Sequence, residues 1–286
     1  EAAVPASGEA VFSGIFFAML VGDAGYGFVF LALTMLLRRF VPRVPRDFTR
    51  LLGLLSICTI FWGAATGMWF GAARLPAPLR ALRIDWLLDD ENLMRLCFLI
   101  GAIQLSLAHG WVAARSWNRL TAIAELGWIA VTWTIYFGVD LLVLGRPFPA
   151  FAGWMFVAGI TAIFLFMTPP RALKRDFHKH VMLPLTLVGN FGDLISYVRL
   201  FAVGSATAAI AMAFNDLALG GDVRGPGQAV VAGLILLAAH GLNLLLCALA
   251  VLVHGVRLNT LEFCGQMGIQ WSGFPYKPFS NERTEQ

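Results

Sequence analysis

Apolar residues run almost unbroken over roughly 11–37, 51–71, 93–114, 120–145, 150–168, 181–214 and 228–257. Breakers separate the runs: Pro42 and Pro45, Pro76 and Pro78, Pro147 and Pro149, Pro169 and Pro170, and Pro226. Most runs reach the ~20 residues with which an α-helix crosses a hydrocarbon core ~30 Å thick. The pattern predicts an all-α polytopic membrane protein. It shows no repeat of fixed period and no low-complexity tract. The first run is either one crossing or a tight hairpin, because Gly22, Asp23, Gly25 and Gly27 in GDAGYG permit a turn there. Asp23 would cap that turn. The last two patterns, 181–216 and 226–264, would as helices reach well past ~50 Å. Helices of that length must tilt strongly or project from the bilayer, and something is expected to lie along them.

Composition sharpens this class. The 286 residues are 58% hydrophobic and 13% charged, with a mean hydropathy of +0.74. Soluble chains average about 25% charged residues, so a soluble domain is excluded, and the apolar content excludes disorder. Cys58, Cys97, Cys247 and Cys264 lack CxxC spacing and read as buried small hydrophobes, not as a disulfide scaffold or a metal site. The net charge of +4 points to basic loops more than to nucleic acid. The loops around 38–50, 115–119 and 171–179 hold eleven Lys and Arg, and Lys277 and Arg283 follow in the tail. The alternate loops hold six: Arg74, Arg80, Arg83, Arg95, Arg146 and Arg224. By the positive-inside rule the first set faces the cytoplasm. The chain opens at Glu1 with no basic segment leading into a cleavable apolar core, so no signal peptide is expected and the sequence reads as part of a longer protein.

Ionisable groups inside the apolar runs are the candidates for function. Arg199 stands in SYVRLFA with about eighteen residues of span on either side. At a helix centre it costs about 2.5–3.5 kcal/mol on insertion scales, and it cannot shed its proton. It needs a carboxylate, either fixed (Asp193 or Asp140) or transient and supplied by a partner. Downstream, Ala202, Gly204, Ser205, Ala206, Ala208, Ala209 and Ala211 make the helix thin enough for another backbone to approach. His240, Asn243, Cys247, Ala250, His254 and Arg257 recur in steps of three and four, which on an α-helix is one face, and suggest a hydrated or hydrogen-bonded lining. Glu262 either gates entry to this lining or is solvated. Glu125, Asp140, Gln104 and His109 are structural partners, span-end groups or cavity lining. The sequence carries no nucleotide-binding loop, zinc motif or nucleophilic triad, so neither catalysis nor a cofactor or metal is expected of this chain.

At these residues a family resemblance emerges. Phe17-Ala18-Met19-Leu20-Val21 followed by GDAGYG, then Trp62-Gly63-Ala64-Ala65-Thr66-Gly67, GDLISYVRLFAVG around Arg199, HGVRLNTLEF at 254–263 and the Lys277-Pro278-Phe279 ending occur in order along nearly the whole chain. Together they resemble the membrane domain of the large stator subunit of V/A-type rotary ATPases, called subunit I in prokaryotes and subunit a in eukaryotes. The resemblance implies about eight crossings with both termini cytoplasmic, and hence a hairpin at 11–40 with its turn outside, so that Ala24 would be labelled from outside and Arg43 from the cytoplasm. It implies a scaffold bundle over 1–180 (further spans about 50–72, 93–115, 120–145 and 149–168). Residues 181–286 would then be the two long tilted helices, 181–216 and 226–264, and a cytoplasmic tail. A soluble N-terminal arm would precede residue 1 and reach other stator and peripheral-stalk subunits.

The same resemblance implies a proteolipid rotor ring cradled by the long helices, with Ala202, Ala206 and Ala209 facing it. Arg199 and Arg257 would separate two aqueous half-channels, with His254, Glu262, His240, Asn243 and Asp193 along the ion path. Where eukaryotic members place a histidine eight residues after the first arginine, this chain has Thr207, which leaves the polar partners less defined than the arginines. The GDAGYG form points to a prokaryotic plasma membrane. In this scheme a rotor carboxylate is neutral in lipid, loses its ion at one half-channel, is held as an anion by Arg199, and is reloaded at the other. Protons are the expected cargo. The rival reading is a secondary transporter, which usually shows two related halves with broken helices.

Overall fold

The computed structural model describes residues 6–41, 44–72, 74–169, 175–220, 225–255 and 257–267. Among them every regular element is helical: α1 (Ala6–Val21), α2 (Ala24–Phe40), α3 (Arg46–Thr66), α4 (Ala77–Arg80), a 3₁₀ turn (Asp85–Leu88), α5 (Asp90–Arg115), α6 (Thr121–Leu144), α7 (Ala150–Phe166), α8 (His178–Val181), α9 (Leu183–Ser196), α10 (Val198–Leu219) and α11 (Pro226–Ala250). Two π-helical stretches, Val251–Gly255 and Leu258–Phe263, and the short α12 (Cys264–Gln266) follow. Among the described residues five helices are long and apolar enough to cross a membrane: α3, α5, α6, α9 with α10 (Leu183–Leu219), and α11 with its first π turn (Pro226–Gly255). The apolar part of α1 (Val11–Val21) and α7 are shorter. Large apolar side chains such as Phe61, Leu142, Trp154 and Leu237 stand open on the outer surface, where lipid solvates them. The protein is an all-α polytopic membrane protein.

The first apolar run is two helices. The rings of Phe17 and Phe30 meet at 5.7 Å, whereas a straight helix would part them by ~20 Å. The reversal takes only Gly22 and Asp23. Gly22 adopts φ +69°, which favours glycine, and Asp23 Oδ1 accepts from the backbone N–H of Gly25 (2.7 Å) and Tyr26 (3.2 Å) as the N-cap of α2. Gly25 and Gly27, expected in the turn, lie instead in the first turns of α2. They are small because neighbours crowd them: a Cβ on Gly25 would overlap the Phe70 ring, and one on Gly27 would come within 2.9 Å of the Ile60 backbone nitrogen. The turn is also enclosed where the sequence reading placed it in the open. Asp23 and Ala24 are 2% and 0% exposed, and Gly63 of α3 comes so close that a Cβ there would overlap the Ala24 backbone. Ala24 is therefore no labelling site, and Arg43 lies outside the described residues.

Other boundaries move for local reasons. The span expected over 51–71 runs from Arg46 to Thr66, because Pro45 starts it and Gly67, at φ +73°, ends it as a left-handed C-cap. α6 and α7 pack through Gly127 and Gly159, each of whose Cβ positions would fall within 3 Å of the other's carbonyl oxygen. α9 packs on α5 and α6, and α10 on α1 and α11. Before α8, Asp176 accepts from Lys179 Nζ (2.9 Å) and Arg175 Nε (3.2 Å), which hold its carboxyl below the usual carboxylate range.

The long helices are interrupted where the arginines sit. At Tyr197 the backbone tightens into i→i−3 hydrogen bonds, Tyr197 N to Leu194 O (3.2 Å) and Leu200 N to Tyr197 O (3.0 Å). The partner helix, expected as continuous α over 226–264, widens into π turns after Ala250. For topology, the exposed side chains of Asp47 and Asp85 mark the two ends of the α3 region. A cysteine at Asp47 is expected to react with an impermeant maleimide from the cytoplasmic face and one at Asp85 from the opposite face. Reaction of both from one side contradicts the orientation given by the basic loops.

Candidate functional site

Arg199 sits two residues past the tightened turn, with its side chain 21% exposed. Its Nη1 lies 3.9 Å from Glu262 Oε1, and Arg257 Nε approaches the same oxygen at 3.7 Å. Both separations exceed hydrogen-bond range, and among the described residues neither Arg199 Nη1 nor Glu262 Oε2, both buried, has a hydrogen-bond partner. Ser196 Oγ, 3.2 Å away, donates to Glu262 Oε1. Glu262 is thus buried (4% exposed) between two fixed cations, which removes the solvated alternative. The carboxylates first considered for Arg199 are engaged elsewhere: Asp140 pairs with Arg95 at 3.7 Å, and Asp193 Oδ2 accepts from Gln266 Nε2 at 2.6 Å. His254 lies within electrostatic reach of both arginines.

From Arg199 an open stripe runs up α10. Ala202, Ala206, Ala209 and Ala213 are exposed at helical spacing, on the arginine's face. The other small residues serve the opposite purpose. Gly204 packs against the Met19 carbonyl and Ala211 against Gly71, so the α1–α2 hairpin and the segment after α3 can seat against α10. Smallness thus works on two faces: packing on one, exposure on the other.

A second polar cluster lies further along α10 and α11. Asn243 Nδ2 donates to Tyr26 Oη (2.9 Å) and to the Thr207 carbonyl (2.8 Å). Tyr26 Oη meets His240 Nδ1 at 2.8 Å, His240 Nε2 meets Asn215 Oδ1 at 3.2 Å, and Asn215 Nδ2 donates to the Phe70 carbonyl at 2.6 Å. Phe70 and Gly71 are themselves tied down by Asp23, whose two oxygens accept their amides at 2.9 and 3.2 Å. The expected single stripe from His240 to Arg257 is therefore divided. His240, Asn243 and Cys247 turn inward to α2 and α10, whereas the π turns after Ala250 break the α-helical phase and bring Arg257 beside Glu262.

The chain is 35% identical over 93% of its length to "V-type ATP synthase subunit I" of Borreliella burgdorferi, and 32% identical over 94% to "V-type ATP synthase subunit I 1" of Treponema pallidum. It is 23% identical over 94% to "A-type ATP synthase subunit I" of Methanocaldococcus jannaschii. The chain belongs to the subunit I family of V- and A-type ATP synthases. It spans about half the length of these subunit I relatives, covering 47%, 46% and 44% of them. No family model matches it.

Within this chain, sequence reasoning missed Tyr26, Asn215, Ser196 and Gln266. Tyr26 was visible as part of GDAGYG, but nothing in one sequence tells a buried hydroxyl facing α11 from a packing ring. The weaker candidates resolve as helix-to-helix ties: His109 Nδ1 meets Glu125 Oε2 at 2.8 Å, with its ring stacked on Trp128, and Tyr197 Oη donates to Gln104 Oε1 at 2.8 Å. Tyr26→Phe is expected to leave Asn243 and His240 short of a partner and to lower stability by about 1–2 kcal/mol. Thermal unfolding in detergent checks this, with part of the loss recovered in Tyr26→Phe/Asn243→Leu, where both polar partners are gone.

Proposed function

We propose that this chain is the ion-translocating stator element of a rotary ATPase, carrying protons to and from carboxylates on a proteolipid rotor ring. The observation that carries the reading is Arg199: a permanent cation, 21% exposed at the foot of an open alanine stripe, whose contact with Glu262 stays at 3.9 Å. A guanidinium in that position suits a carboxylate that arrives by sliding past. The alanines let a rotor helix come close, and the partner helix brings Arg257 to the same charge cluster.

The two polar clusters on either side of Arg199 support two half-channels. Asp193, Ser196, Glu262 and Gln266 form the end toward the basic, cytoplasmic loops. Tyr26, Asn215, His240 and Asn243 form the outward end. A rotor carboxylate gives up its proton at one cluster, crosses Arg199 as an anion and is reprotonated at the other. The fixed charge of Arg199 repels a proton from the direct route between them. Each charge moved through 100 mV is worth ~2.3 kcal/mol, so several must be coupled to one ATP. The chain itself is non-catalytic in this reading. Residues 181–286 form its ion-path unit and 1–180 its scaffold. Its setting is a prokaryotic cell membrane, with other stator and peripheral-stalk subunits reached through an N-terminal arm.

In the assembled complex, Arg199→Ala and Arg199→Lys are expected to abolish ATP-driven acidification of proteoliposomes while the subunits still co-purify, because lysine lacks the guanidinium fork and shifts its pKa when buried. Normal coupling in both variants would sink the role of Arg199. Reconstituted without the ring, the chain is expected to pass little proton or sodium current. Rapid, selective flux through it alone would favour a transporter or channel.

A further inference from the structure

We propose that Glu262 is the built-in counter-ion of the arginine pair, occupying Arg199 when no rotor carboxylate faces it and yielding the guanidinium when one arrives. The proposal rests on the stator reading above and assigns Glu262 a role other than carrying the ion. A carboxylate that is 4% exposed persists as an anion only beside compensating charge. Glu262 has that charge twice over, from Arg199 at 3.9 Å and Arg257 at 3.7 Å, both directed at Oε1. Neither contact closes to the ~2.7–2.9 Å of a charge-assisted hydrogen bond. The anion therefore steadies both guanidiniums without fastening either.

Position makes the contact exchangeable. Arg199 turns its buried Nη1 toward Glu262, and among the described residues that nitrogen has no hydrogen bond, while the side chain keeps 21% exposure at the foot of the alanine stripe. An anion arriving along the stripe competes with Glu262 for the same guanidinium. Among the described residues Ser196 is the one neutral donor to Glu262, and its hydroxyl is shared, lying 2.6 Å from the Asp193 carbonyl. Glu262 is also carried on the π turn Leu258–Phe263 and not on regular α-helix. A carboxylate held by charge and one shared hydroxyl can serve a rotating partner repeatedly, because each encounter exchanges one anion for another and leaves no bare buried cation behind. Without it, the two arginines would grip the rotor carboxylate harder and release it more slowly.

The test uses the whole complex in proteoliposomes, with ATP hydrolysis and ATP-driven acidification measured over a range of pH. Glu262→Gln is expected to slow both by about tenfold, equivalent to ~1.4 kcal/mol, with their ratio and the pH profile unchanged. Adding Arg257→Gln, which removes the surplus cation, is expected to recover part of the rate. Unchanged rates in Glu262→Gln overturn the proposal. So does a loss of acidification with a shifted pH profile and no recovery in the double variant, since that makes Glu262 a proton carrier. If Glu262→Gln does not assemble, Ser196→Ala loosens the same carboxylate: a matched, smaller fall in both rates supports the proposal, and no fall overturns it. Coupled transport that survives Arg199→Ala would instead remove the stator reading beneath it.

Discussion

One buried carboxylate ties the first hairpin to the rest of the molecule. Asp23 accepts four backbone amides, two that begin α2 and two from the segment after α3. A charged acceptor for four donors is a strong tie in an apolar interior, and removing it would strand each of those amides without water. Through it the Gly22-Asp23 turn, the α3 exit and Phe70 become one rigid piece. That piece sets Tyr26 opposite His240 and Asn243, and gives Asn215 a carbonyl to bind. The polar cluster of Tyr26, Asn215, His240 and Asn243 depends on where this tie seats the hairpin.

The arginines face the opposite demand. In the proposed stator reading, a cation that meets a passing partner cannot be fully satisfied within its own chain, yet it cannot be left bare in lipid. The structure answers with long contacts to a shared carboxylate and with backbone that departs from regular α-helix near both arginines. α9 and α10 meet in a tightened turn just before Arg199, and α11 opens into π turns around Arg257. π turns recur at functional sites because they re-aim a side chain at the expense of regular hydrogen bonding. Packing elsewhere in the bundle is ordinary by comparison, with glycines where helices touch and large apolar side chains toward lipid.

Much of this was legible in the sequence, and the reasons are physical. Spans are visible because lipid demands unbroken apolar helix, and Arg199 is visible because a buried arginine is costly and rare. The alanines around 202–213 announced a thin helix, although only their burial sorts Ala206 and Ala209 from Ala211. GDAGYG announced a turn, but its glycines answer two needs, backbone freedom at Gly22 and close packing at Gly25 and Gly27, which look alike in one sequence. Glu262 was left open between gating and solvation because distance along an ideal α-helix put it beyond Arg257 and toward water. The π turns leave no mark in composition, so the phase they introduce could not be read. Hydrogen bonds between distant segments, such as Tyr26 to His240 or Asp193 to Gln266, depend on tertiary placement and were equally silent.

The π stretches also make the length of this helix matter in its own right. A wider turn takes up more chain than an α turn, so each behaves like a small insertion that the helix has absorbed without a loop. On an α-helix each residue advances the direction of the next by about 100°. Deleting one residue of the Val251–Gly255 stretch would therefore keep Arg257 and Glu262 in the sequence and still swing Glu262 away from Arg199. A change in residue count here is therefore not neutral, and alignments that place gaps freely between 251 and 263 would misassign the arginine's partner.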